Sequence, residues 1–232
     1  MRIFTFPYAF GTEIIFYDLA DSLAGNMEVE CMTYPGHGRR QSENLLSSIE
    51  ELAQDAISAI QKTDDDYILL GYSMGAKVCC EILRQLEATT TKKPKHAFFL
   101  ASSPPSEKVK ISQTEELDIK EAGRILEELG TPQSAIKSKE FMEFVHPIVK
   151  ADVTALETFN YPKWPYEKLD VPITIITGEK ECFEEIKQAW IDFLPNNATY
   201  DFLTLKGGHM FLFEEEENIA AVKKVILSKM GI

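Results

Sequence analysis

The segment Gly71-Tyr72-Ser73-Met74-Gly75 follows the apolar run Tyr67 to Leu70 and leads into the helical stretch Ala76-Lys77-Val78. A serine between two glycines at a strand-to-helix turn sits on a strained elbow, its Oγ exposed at the carboxyl end of the strand. Serine is a poor nucleophile until a base takes its proton, so the elbow calls for a histidine later in the chain. Of the four histidines, three follow Ser73. His96 immediately precedes the run Ala97 to Ala101, which places it at the wrong end of a parallel sheet. His146 lies in a helical stretch and is followed by Pro147. His209 remains, in Leu205-Lys206-Gly207-Gly208-His209-Met210-Phe211, where two glycines permit a tight loop that aims the ring back at the elbow. His37, in Pro35-Gly36-His37-Gly38-Arg39-Arg40, is expected to shape a loop at the rim.

A carboxylate must fix the imidazole tautomer and stabilise the imidazolium. It is expected after the run Ile173 to Thr177, where the chain reads Gly178-Glu179-Lys180-Glu181-Cys182 and offers no aspartate. Glu181 is the first candidate and Glu179 the second. An oxyanion hole needs two backbone N–H groups near Ser73. Met74 would supply one, and Ala9, in Phe6-Pro7-Tyr8-Ala9-Phe10-Gly11, the other.

These residues must be positioned by an α/β fold. Short β-branched or aromatic runs at Ile3 to Phe6, Val29 to Thr33, Tyr67 to Leu70, Ala97 to Ala101, Ile173 to Thr177 and Tyr200 to Leu205 alternate with helical periodicity, predicting a mostly parallel sheet with flanking helices. Ile49, Leu52, Ala53, Ala56, Ile57 and Ile60 form one core-facing stripe, and Phe183, Ile186, Trp190 and Leu194 another. The alternation stops between about Pro104 and Pro172. Two amphipathic patterns stand there: Ala122, Ile125, Leu126 and Leu129, then Phe141, Phe144, Val145, Ile148, Val149, Val153 and Leu156. We expect one domain over 1–232 with a helical insertion over 105–165, whose second stripe is either ordinary packing or partly the wall of an apolar channel. The run 89–95 reads as a polar surface connection, and Asp64 to Asp66 and Glu214 to Glu217 as solvated faces.

Composition narrows the function classes. The 232 residues carry 24 basic and 37 acidic side chains, a formal net charge of −13, which disfavours nucleic acid as a partner because phosphate contacts need a basic face. No apolar run reaches the roughly 20 residues that span a bilayer, and the N-terminal segment lacks a secretory pattern. The expected compartment is the cytoplasm. Cys31, Cys79, Cys80 and Cys182 lack metal-ligand spacing and read as reduced core thiols.

Taken together, several segments resemble the type II thioesterases of nonribosomal peptide and polyketide synthesis, a branch of the α/β-hydrolase superfamily, along essentially the whole chain. Phe6-Pro7-Tyr8-Ala9 is similar to that family's oxyanion loop, Tyr34 to Arg40 to its proline-glycine-arginine loop, and Gly71 to Gly75 to its elbow. Leu129-Gly130-Thr131-Pro132, Pro147 to Asp152 and Glu157 to Tyr161 resemble its lid helices, and Gly207 to Leu212 its final motif. The resemblance implies Ser73 as nucleophile, His209 as base and the Ala9 and Met74 amides as oxyanion donors. It implies a lid over 105–165 with Phe141, Phe144 and Val145 as wall positions. The substrate would be an acyl thioester on the phosphopantetheine arm of an acyl or peptidyl carrier protein. No metal or other cofactor is needed, since the substrate itself carries the phosphopantetheine, and the default state is a monomer. Arg39, Arg40, Lys137 and Lys139 are candidate docking cations on an otherwise acidic surface.

Two positions depart from the family pattern: Glu181 stands where aspartate is usual, and Phe10 where glycine is common, so its ring is expected to narrow the acyl pocket. Other enzymatic readings are a medium-chain fatty-acyl carrier-protein thioesterase, a general acyl-CoA thioesterase or esterase, and a transacylase using the same triad. From another class, the chain would be an inactive carrier-protein binding module.

Overall fold

A computed structural model describes residues 1–89 and 92–232. Residues 90 and 91, part of the polar connection expected over 89–95, lie outside the described residues.

The strands β1 (Arg2–Phe6), β2 (Glu28–Cys31), β3 (Tyr67–Tyr72), β4 (Ala97–Leu100), β5 (Ile173–Gly178) and β6 (Tyr200–Leu205) form one six-stranded sheet in the order β2-β1-β3-β4-β5-β6. Every pairing is parallel. Parallel strands need crossovers, and helices α1 (Tyr17–Leu23), α2 (Ile49–Ile60) and α3 (Met74–Glu87) provide the first three. Side chains alternate between two buried layers with the period of two that a pleated strand imposes. Phe4, Leu69, Phe99 and Ile175 join the layer of α2 and α3. Ile3, Ile68, Leu70, Phe98, Leu100 and Ile176 face the other layer, with Leu19 and Leu23 of α1.

Helix α2 shows why its sequence folds locally. Its stripe from Ile49 to Ile60 is buried throughout, Ser48 Oγ accepts the Glu51 N–H at 3.3 Å, and Glu50 and Glu51 place negative charge on the first turn. After β1 the chain goes outward to β2, then crosses back over β1 to β3. This reversal makes the carboxyl ends of β1 and β3 the topological switch point, the place where open α/β sheets position their sites.

Between β4 and β5 stand α4 (Ile119–Glu128), α5 (Gln133–Ile136) and α6 (Lys139–Thr158). They enclose a third apolar cluster of Ala122, Ile125, Leu126, Met142, Val149 and Val153. Asp118 caps α4 by accepting the Glu121 N–H at 2.8 Å, and Ser138 caps α6 by accepting the Phe141 N–H at 3.3 Å. Glu157 of α6 accepts the N–H groups of Ile111 and Ser112, each at 2.7 Å, which fastens the segment before α4. The chain then continues through α7 (Phe183–Phe193), α8 (Phe211–Glu214) and α9 (Glu216–Met230), with Val222 and Ile226 of α9 completing the layer shared with α1. Among the described residues, no helix is long and apolar enough to cross a membrane.

Three packing expectations need correction. Leu129 is 60% exposed, because α4 ends at Glu128 and Leu129 falls on its cap. Cys182 is exposed while the other three thiols are buried, since it occupies the cap of α7 at the surface. Phe144 is 56% exposed. At about 100° per residue, the buried arc of α6 runs from Phe141 through Val145 and Val149 to Val153, and Phe144 lies about 120° from its middle. It therefore projects outward, whereas Phe141 and Val145 pack against the third cluster.

Candidate active site

Register brings the first pieces together. Phe6 of β1 is paired with Gly71 of β3, so the loop after β1 and the elbow after β3 leave the sheet side by side. Ser73 adopts φ 53 and ψ −110, a conformation that L residues rarely take. It is held by its own N–H, which donates to Leu100 O at 2.8 Å, and by Ala76 N–H donating to Ser73 O at 3.0 Å. The flanking glycines are required by contact: a Cβ on Gly71 would collide with the Gly75 carbonyl, and one on Gly75 with the Phe6 carbonyl. Met74, fully buried, is the first residue of α3.

His209 follows β6 and turns back across the elbow. Its Nε2 lies 3.0 Å from Ser73 Oγ, and its Nδ1 lies 3.0 Å from Glu181 Oε1. A carboxylate oxygen accepts, so Nδ1 carries the proton and Nε2 is free to accept from the serine hydroxyl. Glu181 folds back over its own turn: its Oε2 accepts the Gly178 N–H at 2.9 Å while Oε1 serves the histidine. Burial opposes ionisation of this carboxyl, but the bonds from His209 and Gly178 outweigh it and hold it below the usual glutamate range. The longer arm of glutamate is thus taken up by this bridge. Glu179 is exposed, and its backbone N–H is spent on Leu205 O at 2.8 Å.

The loop carrying His209 is tied down on several sides. Tyr72 Oη donates to His209 O at 2.7 Å, Gly208 N–H donates to Glu214 Oε2 at 2.8 Å, and Asn218 Nδ2 donates to both Lys206 O and Phe211 O at 2.7 Å. Close approach matters here as well, since a Cβ on Gly178 would strike the Gly208 carbonyl. Glu214 is therefore not merely a solvated charge, as its run of four glutamates suggests. Neither it nor Tyr72 and Asn218 was legible as a site residue, because their partners are set by the fold rather than by spacing.

The loop after β1 forms a turn closed by Gly11 N–H donating to Tyr8 O at 3.0 Å, with Ala9 and Phe10 at its centre. Phe10 has φ 67, the region that favours glycine. Its ring packs against the apolar cluster of α4 and α6, alongside Phe141 and Val145. Its N–H donates at 2.7 Å to Oδ2 of Asp152, a fully buried residue of α6. The same Oδ2 lies 3.1 Å from His37 Nε2, so His37 is buried beneath the loop rather than at its rim. Asp152 was not singled out by the sequence pattern.

The other histidines lie elsewhere. His96, at the amino end of β4, is buried against Thr174, and His146 Nε2 lies 2.8 Å from the Leu117 carbonyl, to which it donates. Of the proposed docking cations, Arg40 is engaged by both Asp55 and Glu43, Arg39 donates to Cys31 O at 2.8 Å, and Lys139 pairs with Glu143 at 3.6 Å. Lys137 is exposed.

A serine on a positive-φ elbow of a parallel sheet, hydrogen-bonded to a histidine that follows the last strand and in turn to a carboxylate, defines a serine hydrolase of the α/β-hydrolase type. The chain belongs to the thioesterase domain family, whose model matches residues 1–228. It is 26% identical over 238 residues to the human medium-chain S-acyl fatty acid synthase thioesterase, covering 100% of this chain and 88% of that protein. It is 27% identical over 219 residues to the probable anguibactin biosynthesis thioesterase AngT of Vibrio anguillarum, covering 91% and 85%. The fold is similar to that of BorB, a type II thioesterase from the borrelidin biosynthetic cluster, with a TM-score of 0.81, 25% identity, and coverage of 98% of this chain and 91% of that one.

Proposed function

We propose that this protein is a type II, editing thioesterase that hydrolyses acyl groups from the phosphopantetheine arm of carrier-protein domains in nonribosomal peptide or polyketide synthesis. The observation that carries this reading is the unbroken chain from Ser73 Oγ through His209 to Glu181, in a protein whose whole length resembles biosynthetic thioesterases. Ser73 attacks the thioester carbonyl as His209 Nε2 takes its proton, and Glu181 stabilises the imidazolium. The Met74 and Ala9 amides hold the oxyanion. The pantetheine thiol leaves with a proton from His209, and water activated by the same ring releases the acyl group as a carboxylic acid.

The helices between β4 and β5 act as the lid, with Phe10, Phe141 and Val145 on its apolar inner side. Arg40 is neutralised by Asp55 and Glu43, so docking of an acidic carrier relies on apolar contact more than on that cation. The protein works as a cytoplasmic monomer, a setting that suits its four free thiols.

A second reading is release of medium-chain fatty acyl groups, which the likeness to the human medium-chain enzyme favours. Both are tested by mass-spectrometric release of acetyl and of longer acyl groups from acyl-phosphopantetheinyl carrier protein, with matched acyl-CoA substrates and a Ser73→Ala control. Ser73-dependent clearance of acetyl from the carrier in preference to acetyl-CoA supports editing. Preference for medium chains selects the second reading. Turnover by Ser73→Ala at the wild-type rate rules out the serine mechanism, and equal action on free acyl-CoA makes the protein a general thioesterase.

A further inference from the structure

We infer that Asp152 of α6 is a positioning residue for the oxyanion hole: through the Phe10 amide and the His37 ring, it fixes the turn that presents the Ala9 N–H. This inference rests on the reading of Ala9 as an oxyanion donor and identifies what holds it in place.

The turn is not self-supporting. Its third residue, Phe10, stands at φ 67 without being glycine, a conformation that persists only where surroundings impose it. Within the turn, the Gly11 N–H to Tyr8 O bond closes the ends but leaves the Ala9–Phe10 peptide free to rotate. The Phe10 N–H belongs to that peptide, and its bond to Asp152 Oδ2 at 2.7 Å fixes the plane. The anchor comes from the helices between β4 and β5, 142 residues away in sequence, rather than from the sheet.

Asp152 is itself aimed by His37. The ring's Nδ1 lies 3.0 Å from Pro35 O, which can only accept, and its Nε2 lies 3.1 Å from Asp152 Oδ2, which already accepts from Phe10. Acceptors on both sides call for a proton on each nitrogen, hence an imidazolium paired with a carboxylate. Burial works against the charged ring, but the bond and charge of Asp152 and the Pro35 carbonyl prevail and raise its pKa. Asp152 Oδ1, fully buried, has no hydrogen-bond partner. A buried ion pair with an orphaned oxygen contributes little to stability compared with apolar packing, so the geometry that Oδ2 imposes is the more telling property of this carboxylate.

The test compares wild type, Asp152→Ala, Asp152→Asn and His37→Gln on one acyl-carrier substrate, with inhibition by a trifluoromethyl ketone analogue of the acyl chain, whose tetrahedral adduct needs the oxyanion hole, measured against the plain methyl ketone. Loss of a whole oxyanion donor lowers kcat on the order of 100- to 1,000-fold. A misplaced donor is expected to lower it roughly 10- to 100-fold in Asp152→Ala, with KM within about twofold and ketone affinity reduced in parallel. Asp152→Asn, which keeps an acceptor for the Phe10 N–H, should recover part of the loss. Unchanged kcat and ketone affinity in Asp152→Ala, or a rise in KM alone, overturns the proposal. If Asp152→Ala does not fold, His37→Gln, which leaves the carboxylate unaimed, decides on the same criteria. Wild type that shows no preference for the trifluoromethyl ketone, or whose inhibition survives Ser73→Ala, defeats the underlying reading of the site instead.

Discussion

The hydroxyl of Tyr72 donates to the carbonyl oxygen of His209 at 2.7 Å, so the residue immediately before Ser73 holds the backbone of the histidine that contacts it. Ser73 and His209 are 136 positions apart, and their 3.0 Å contact depends on the sheet bringing β3 and the loop after β6 into one plane. Tyr72 makes that approach specific. It is fully buried, its ring lies edge-on to His209 at 6.4 Å, and Phe211 packs against it at 5.5 Å.

Removing only the hydroxyl separates this alignment from packing. Tyr72→Phe keeps the ring contacts and releases the His209 carbonyl, which costs about 1 kcal/mol of stability for one lost hydrogen bond. We expect kcat to fall roughly 3- to 10-fold with KM unchanged, as a slackened contact between base and nucleophile requires. Steady-state kinetics on an acyl carrier check this, and an unaltered kcat would mean that Asn218 and Glu214 alone hold the loop.

Glu181 and Glu179 make a second comparison. Glu181→Gln keeps the shape but removes the charge that fixes the Nδ1–H tautomer and stabilises the imidazolium, so kcat should drop by about 100-fold or more. Glu179→Gln should remain within about twofold, since that side chain is exposed. A larger fall for Glu179→Gln would reassign the acid. Glu181→Asp should fall between, because one methylene less cannot bridge both Gly178 N–H and His209.

How far the sequence foretold these arrangements depended on whether the signal was local. The strands stood out because β-branched and aromatic runs alternate with helical periods, and the elbow because steric demand fixes its glycines. His209 emerged from chain order and the glycines beside it. Tyr72, Asp152 and Glu214 left no comparable trace, since each acts through backbone groups that only the folded chain brings near. Asp152 closes the segment Pro147 to Asp152 that resembles a lid helix, but nothing in that pattern pairs it with Phe10 and His37, which lie in loops 142 and 115 positions earlier. The outward projection of Phe144 escapes the pattern because periodicity gives the width of an apolar stripe less well than its direction, and the exposure of Cys182 because the lack of metal-ligand spacing says nothing about burial.

His96 predicts acid sensitivity away from the site. Burial, with a smaller contribution from Lys229 opposed by Asp201, lowers its pKa from 6.5 to about 4. Its Nε2 lies 2.9 Å from Thr174 Oγ1, and the ring stacks on Phe98 at 4.5 Å. Between these two pKa values the unfolded chain binds the proton that the folded one refuses, so stability falls as pH drops from 6.5 toward 4. Relative to His96→Gln, wild type should lose about 2 kcal/mol between pH 6.5 and 4.5. Urea denaturation at the two pH values measures this, and parallel losses in both proteins would show that His96 does not titrate in this way.

Lys77 poses the same problem of a buried cation at higher pH, one turn into the helix that follows Ser73. It is 4% exposed, and its Nζ donates to the carbonyls of Ser103 and Pro104 at 3.2 and 3.3 Å, where the chain leaves β4 for the helices that precede β5. Two carbonyls satisfy donors but do not neutralise an ammonium, and burial lowers its pKa from 10.5 to about 8 against weaker opposing effects of Cys80 and Glu107. Below pH 8 both folded and unfolded chains are protonated, and the folded state bears the full cost of the buried charge. As pH rises from 8 toward 10.5, the folded chain releases the proton first and that cost is relieved. Wild type should therefore gain about 2 kcal/mol over Lys77→Met between pH 7 and 9.5. Lys77→Met removes the charge while filling a similar volume, so its own pH dependence reports the remaining groups. A constant difference between the two proteins across that range would mean that the ammonium stays charged in the folded chain, with the Ser103 and Pro104 carbonyls compensating its burial in full.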